Sequence, residues 1–136
     1  MSTDTRPDQD VIPGLPPTLR WVALVVFGVA LSAMIWTMHH NPFFSTLVRI
    51  QSERGHRLIT SGPYRFVRHP GYLFIMLLLV ASGPALGSWI AELPIAIYLL
   101  LILRRLVLED RFLHEHLPGY RDYAARVRWR LLPGLW

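Results

Sequence analysis

The amino-acid order predicts an all-α integral membrane protein with three transmembrane helices. One span is followed by a tight helical hairpin and then by a cytoplasmic C-terminal amphipathic helix. Three observations carry this prediction. Hydrophobic residues make up 52% of the 136 positions and charged residues only 17%, a balance that suits lipid better than water. Three apolar runs, at about 19–38, 70–86 and 88–108, approach the length of a bilayer core. The arginines gather in alternate connecting segments, as expected of a chain that crosses and recrosses a membrane.

Residues 1–18 read as a disordered tail, with Asp4, Asp8 and Asp10 ahead of Pro13, Pro16 and Pro17 and no basic stretch of the kind that opens a signal peptide. Residues 19–136 read as a single membrane domain. The run Leu19–Met38 carries Arg20 as its one charge and has Trp21 and Trp36 near its ends, where indoles favour the interface. In the polar stretch that follows, residues 43–60 fit two structures equally. Asn41-Pro42 can start a surface helix seated through Phe43, Phe44 and Leu47, while the alternation around Val48–Gln51 and Leu58–Thr60 fits a small hairpin. The second run, Pro70–Leu86, is interrupted by Gly83-Pro84 and ended by Gly87. The third opens with Glu92 and Pro94 and continues as helix to His116. Leu117-Pro118-Gly119 breaks that helix, and Tyr120–Arg130 suits a last, two-faced one.

Charge placement tests the layout. Residues 39–69 hold five arginines and residues 104–136 hold seven, whereas the hairpin tip has none. Three spans put both rich segments on one side, which the positive-inside bias makes cytoplasmic and which leaves the N-terminus outside. The formal charge of +5, carried by 14 basic residues that are all arginine, is therefore assigned to membrane topology and not to nucleic acid. The chain has no cysteine, which excludes disulfides, thiolate metal sites and a cysteine nucleophile.

Three polar clusters converge on the arginine-rich side: Ser61–Tyr72, then Arg104-Arg105 with Glu109-Asp110, then Gly119-Tyr120, Tyr123 and Arg126. A helical hairpin brings its open ends together, so the first two should be neighbours. Arg105 and Glu109 are four apart and share a helix face. Taken alone they read as a surface ion pair worth about 0.3–0.5 kcal/mol. As a divided site, Glu109 accepts hydrogen bonds from a cofactor and Arg105 grips an anion. His69-Pro70 taken singly is ordinary helix-start chemistry, and Tyr64 and Tyr72 taken singly are interfacial aromatics. His114 and His116 lie two apart, so on a helix they diverge and no shared metal is expected. His39-His40 reads as interfacial.

The run GHRLITSGPYRFVRHPGYL (55–73), followed in order by the glycine-broken hairpin, RRLVLED (104–110) and GYRDYAARVRWRLLPGLW (119–136), closely resembles the isoprenylcysteine carboxyl methyltransferase and phospholipid methyltransferase superfamily. The resemblance covers about Asn41–Trp136. It implies S-adenosylmethionine held at the cytoplasmic ends of the hairpin by Gly62, His69, Pro70, Gly71, Tyr72 and Glu109, with Arg105 as the catalytic residue that meets the substrate, and the C-terminal segment as closure. Metal is not implied. The implied activity is O-methylation of a carboxylate on a lipid-like or other apolar small molecule. The alternatives are N-methylation of a phosphatidylethanolamine headgroup, a nicotinamide-dependent membrane reductase, and a non-catalytic membrane subunit. Only one span precedes the signature, where relatives often have two or more. A homodimer is one way to supply the missing wall of a lipid pocket.

Overall fold

A computed structural model describes residues 14–45 and 50–136, and those residues are helical throughout their regular parts. Helix α1 spans Pro17–His40, α2 Pro70–Leu86, α3 Glu92–His116 and α4 Tyr120–Arg126, with single 3₁₀ turns at Ser52–Arg54 and Gly62–Arg65. No strand occurs among the described residues. Within 43–60 neither the surface helix nor the hairpin is present among those residues, and Thr46–Arg49, including Leu47, lie outside them. Of the expected tail, residues 1–13 lie outside the described residues, while Pro17 and Thr18 already belong to α1. Proline is at home there because the first helical N–H has no partner to lose.

Among the described residues α1 alone is both long and apolar enough to cross a membrane. Helix α2 is apolar but has 17 residues, about 25 Å at ~1.5 Å per residue. Helix α3 has 25 residues, but Arg104 interrupts its apolar part after Leu103. It starts at Glu92 and not at Ser88 because Gly87, at a φ of 78°, ends α2 in the left-handed region. The Ser88 N–H then bonds back to the Gly83 carbonyl at 2.9 Å, a C-terminal arrangement that glycine adopts without a Cβ penalty.

The long helices pair in chain order, but unequally. Helix α1 lies closely along α2, and α3 meets α2 over a smaller surface. The reason is visible in α1, whose buried residues are Ala23, Ala30 and Thr37. These small side chains recur every seven positions and form a smooth stripe. Such stripes let helices in lipid approach closely. The larger residues of α1, among them Trp21, Val25, Val29 and Ile35, point outward.

Both ends of this assembly can be identified. At one end Gly87 sits beside the Arg20 side chain, so the start of α1 lies near the hairpin tip. At the other, Phe44 packs on Gly71 and His40 on Gly62, so the end of α1 lies beside the start of α2. A small core of Leu117, Tyr120, Tyr123 and Ala124, backed by Ile50, Leu58, Leu113 and Val127, closes this second end.

Helix α4 is shorter than the expected Tyr120–Arg130 segment and stops at Arg126. Beyond it the backbone serves another purpose. The carbonyls of Trp129 and Arg130 accept hydrogen bonds from the N–H groups of Arg68 and His69, both at 2.9 Å. Those two N–H groups precede α2 and have no helical partner of their own. Extending α4 would take the two acceptors away.

Ala30→Leu is expected to destabilise the protein by about 1–3 kcal/mol through overpacking of the α1–α2 contact. Val29→Leu, on an exposed position, should be close to neutral. Thermal unfolding of both variants in one detergent checks the difference, and equal midpoints would remove the small-residue stripe as the basis of the packing.

Candidate active site

A cavity of roughly 360 Å³ opens between α2 and α3, with Met34 of α1 also in its wall. That volume lies in the range of small-molecule sites. Its two ends differ in chemistry. Met34, Ile75, Tyr98 and Ile102 line the part within the helices, while Asn41, Tyr64, Tyr72, Arg105 and Glu109 line the part at the arginine-rich end. Phe43 and His56, stacked at 4.6 Å between ring centroids, form part of the wall with Phe44. Phe43 and Phe44 therefore face the cavity, in place of the surface seating that the sequence allowed.

Tyr72 organises the polar end. Its hydroxyl accepts a hydrogen bond from Arg105 Nε at 3.1 Å and donates to Glu109 Oε2 at 2.5 Å. Arg105 and Glu109 share a face of α3, as their spacing requires, but they meet through this phenol and not as a direct ion pair. A carboxylate, a phenol and a guanidinium thus stand in a row on the cavity wall. Such a row can accept hydrogen bonds from hydroxyl or ammonium groups at one end and hold an anion at the other.

Behind this row lies a second cluster around a buried carboxylate. Asp110 is 1% exposed. Its Oδ1 accepts from Tyr120 Oη at 2.8 Å and from His69 Nε2 at 3.0 Å. Its Oδ2 accepts from Arg130 Nε at 2.9 Å and from Arg68 Nη2 at 3.2 Å. Consecutive residues on a helix point about 100° apart, so Glu109 and Asp110 cannot both face the cavity. Glu109 faces the opening, and Asp110 faces α4 and the C-terminal segment. Burial by itself would raise the Asp110 carboxyl pKa, but the hydrogen bonds from His69, Arg130 and Tyr120 outweigh that and hold it well below the usual carboxylate range. Burial raises the Tyr120 hydroxyl, and the Asp110 charge beside it adds to the effect. Burial likewise raises Tyr123, with the nearby Tyr64 adding to it.

Tyr123 and Asn41 complete the scaffold. Tyr123 Oη donates to the Tyr64 carbonyl at 2.7 Å, and Asn41 Nδ2 donates to Tyr64 Oη at 2.8 Å. This chain of bonds ties the end of α1 to α4 through the loop before α2.

Of the site residues expected from sequence, His69, Gly71, Tyr72, Arg105 and Glu109 line the cavity. His69 does so while its Nε2 is engaged by Asp110. Pro70 is buried at the first position of α2, and Gly62 faces His40. A Cβ on Gly62 would stand 2.6 Å from the His40 ring, and its φ of 59° is left-handed. Neither of these two lines the cavity. His114 and His116 each direct Nδ1 to a carbonyl of their own helix. Of the third polar cluster, Tyr120 and Tyr123 join the site, while Arg126 is exposed elsewhere.

Asp110 is the residue that sequence reasoning undervalued. A signal existed: Ile102, Leu106 and Asp110, four apart, are the buried stripe of α3. A carboxylate continuing an apolar stripe is buried, and a buried carboxylate needs donors. Arg68, Tyr120 and Arg130 are too distant in sequence for spacing to select them.

Comparison with known proteins gives a consistent picture. Residues 21–115 match the isoprenylcysteine carboxyl methyltransferase (ICMT) family. A probable protein-S-isoprenylcysteine O-methyltransferase of Oryza sativa subsp. indica is 31% identical over 86 residues, which is 62% of this chain and 45% of that protein. The cobalt-zinc-cadmium resistance protein CzcN of Cupriavidus metallidurans is 32% identical over 79 residues, 57% of this chain and 37% of that protein. The lamin-B receptor of Drosophila melanogaster is 31% identical over 97 residues, 68% of this chain and 13% of that protein. The chain thus spans less than half the length of each of these relatives.

Asp110→Asn is expected to destabilise the fold by about 3–5 kcal/mol, since it leaves the buried Arg68 guanidinium, and the partly exposed Arg130 beside it, without their counter-charge. The sign of the pH effect follows from the lowered carboxyl pKa. The stabilisation is fully present above the unfolded value of about 3.9 and is lost as pH falls from there toward the lower folded value. The stability gap between wild type and Asp110→Asn should be constant above about pH 5 and shrink below about pH 4. Chemical denaturation across pH 3–7 measures it, and a gap that persists undiminished in acid would contradict the assignment.

Proposed function

This chain belongs to the isoprenylcysteine carboxyl methyltransferase family, and from that membership we propose that it is an S-adenosylmethionine-dependent membrane methyltransferase. Its acceptor, on this reading, is a carboxylate on a lipid-like or isoprenoid-type molecule. The observation that carries the reading is the row Glu109–Tyr72–Arg105 at the polar end of a cavity whose other end is apolar. All three long helices cross the bilayer on this reading, with the arginine-rich end cytoplasmic and the N-terminus outside.

The donor set fits the cofactor. S-adenosylmethionine joins a flat base, a pair of ribose hydroxyls and a charged amino-acid tail. The cavity offers aromatic faces in Phe43, His56 and Tyr98, a carboxylate in Glu109 and a guanidinium in Arg57. When bound, the cofactor supplies a methyl carbon activated by a positively charged sulfur that departs as a neutral thioether. No metal and no covalent nucleophile are needed for that.

The chain's own residues then have three tasks. Glu109, with Gly71 and Tyr72, binds the cofactor, and His69 forms the wall behind them. Pro70 and Gly62 act at one remove, by setting the start of α2 and its approach to α1. Arg105 holds the acceptor carboxylate through a charge-assisted pair. Alignment of acceptor and methyl group can supply up to about 7–11 kcal/mol of the barrier. The apolar wall of Met34, Ile75 and Ile102 accommodates an aliphatic chain and keeps water from the reacting groups.

Glu109→Ala is expected to weaken S-adenosylmethionine binding by about 10–100-fold, the loss of hydrogen bonds to a charged group, while the protein stays folded. Calorimetry in detergent reads this directly, and unchanged affinity would refute the role of Glu109. Arg105→Ala should leave cofactor affinity nearly intact and depress turnover. Turnover is followed with labelled S-adenosylmethionine and a native lipid extract, from which the labelled product is identified by mass spectrometry. Label in a methyl ester supports the carboxylate reading. Label in a methylated ethanolamine headgroup replaces it with N-methylation. No label in any lipid, with cofactor bound, removes the enzyme reading.

A further inference from the structure

On the outer face of the same end lies a second concavity, of about 310 Å³, walled by Arg65, Phe66, Arg126, Val127, Arg128, Trp129 and Pro133. It is separate from the active-site cavity and shares no lining residue with it. Its charge is one-sided. Three arginines face it and no carboxylate does. None of the three is in an ion pair among the described residues, whereas Arg68 and Arg130 nearby are both held by Asp110. Arg65 stacks over Phe66, its Cζ 5.5 Å from the ring centroid.

We propose that this concavity binds the phosphodiester headgroup of an anionic phospholipid. Guanidinium groups match phosphate oxygens in a two-pronged geometry, and three uncompensated ones favour a net negative headgroup over a zwitterionic one. The surroundings favour a lipid over a soluble anion. Phe66 is 56% exposed, Trp129 38%, Leu132 42% and Leu135 75%. These apolar groups flank the arginines, just before Pro70 leads α2 away. A soluble phosphate would leave them in water, whereas acyl chains cover them. Basic residues with neighbouring aromatic and leucine side chains are the usual furniture of an anionic membrane surface.

The site also has a mechanical connection to the active-site wall. Trp129 lines the concavity, and its carbonyl accepts from the Arg68 N–H; Arg130, next in line, accepts from the His69 N–H. A headgroup bridging Arg65 to Arg126 and Arg128 would fasten the C-terminal segment to the loop that carries His69.

Native mass spectrometry of the full chain in mild detergent tests this, using equimolar phosphatidylglycerol and phosphatidylcholine with matched acyl chains. Wild type is expected to retain phosphatidylglycerol with about tenfold preference. Arg65→Gln/Arg126→Gln/Arg128→Gln should reduce the preference to within about twofold, with thermal unfolding unchanged. Arg111→Gln, an exposed arginine outside the concavity, should keep it. Glycerophosphoglycerol, the headgroup without chains, should not displace the bound lipid at equal concentration. Equal retention of both lipids by wild type overturns the proposal, as does a preserved preference in the triple variant. Displacement by the chain-free headgroup overturns the lipid assignment in favour of a soluble phosphodiester. If the triple variant does not fold, Arg128→Gln alone should lower the preference by about threefold or more, and no change overturns the proposal.

Discussion

A single buried carboxylate holds the functional end of this protein together. Asp110 gathers donors from three separate stretches of chain: Arg68 and His69 before α2, Tyr120 in α4, and Arg130 in the C-terminal segment. Each would be costly to bury alone. Together they pair one another, all but Arg68 Nε finding a partner, because a buried charge is tolerated where it is paired and hydrogen-bonded. The cluster fixes the direction in which α2 leaves the loop, and so the position of Tyr72 opposite α3.

The cavity follows from a packing asymmetry. Helix α1 presents alanines and a threonine to α2 and fits closely against it. Helix α3 has no matching stripe of small residues toward α2. Its cavity-facing residues are Tyr98, Ile102, Arg105, Glu109 and Leu113, large or charged groups that keep the two helices apart. The same contrast in side-chain size that seats α1 closely on α2 leaves space between α2 and α3. Polarity then divides the space along its length, since after Glu92 at its start α3 carries no further charge until Arg104.

The two acidic neighbours in α3 therefore divide structure and chemistry. Asp110 is consumed by the scaffold, and Glu109 remains available at the cavity wall, linked through Tyr72 to Arg105. If the cavity takes the charged cofactor proposed for it, its groups need to stay in place before that cofactor arrives. Here Tyr72 and Arg105 are pre-positioned by hydrogen bonds that do not involve Asp110, so a ligand can engage Glu109 without disturbing the scaffold. The relatives are more than twice as long as the stretch of them that this chain matches. The family match, over residues 21–115, takes in most of α1, all of α2, nearly all of α3 and the whole Glu109–Tyr72–Arg105 row.

Much of this was legible in the amino-acid order. The apolar runs, the break at Leu117-Pro118-Gly119, the helical continuation to His116, and the shared face of Arg105 and Glu109 follow from local rules of length, period and turn chemistry. The gathering of Tyr72 with Glu109 follows from the reversal at Gly87. What local rules do not reach is which long-range partners a side chain finds. That Asp110 turns to Arg68 and Arg130, that α4 ends at Arg126 because the carbonyls of Trp129 and Arg130 are needed before α2, and that Gly62 meets His40 while Gly71 meets Phe44 were decided by tertiary packing. The physical reason is that spacing along one helix fixes only relative direction, whereas satisfying a buried charge or a loop N–H depends on groups tens of residues away.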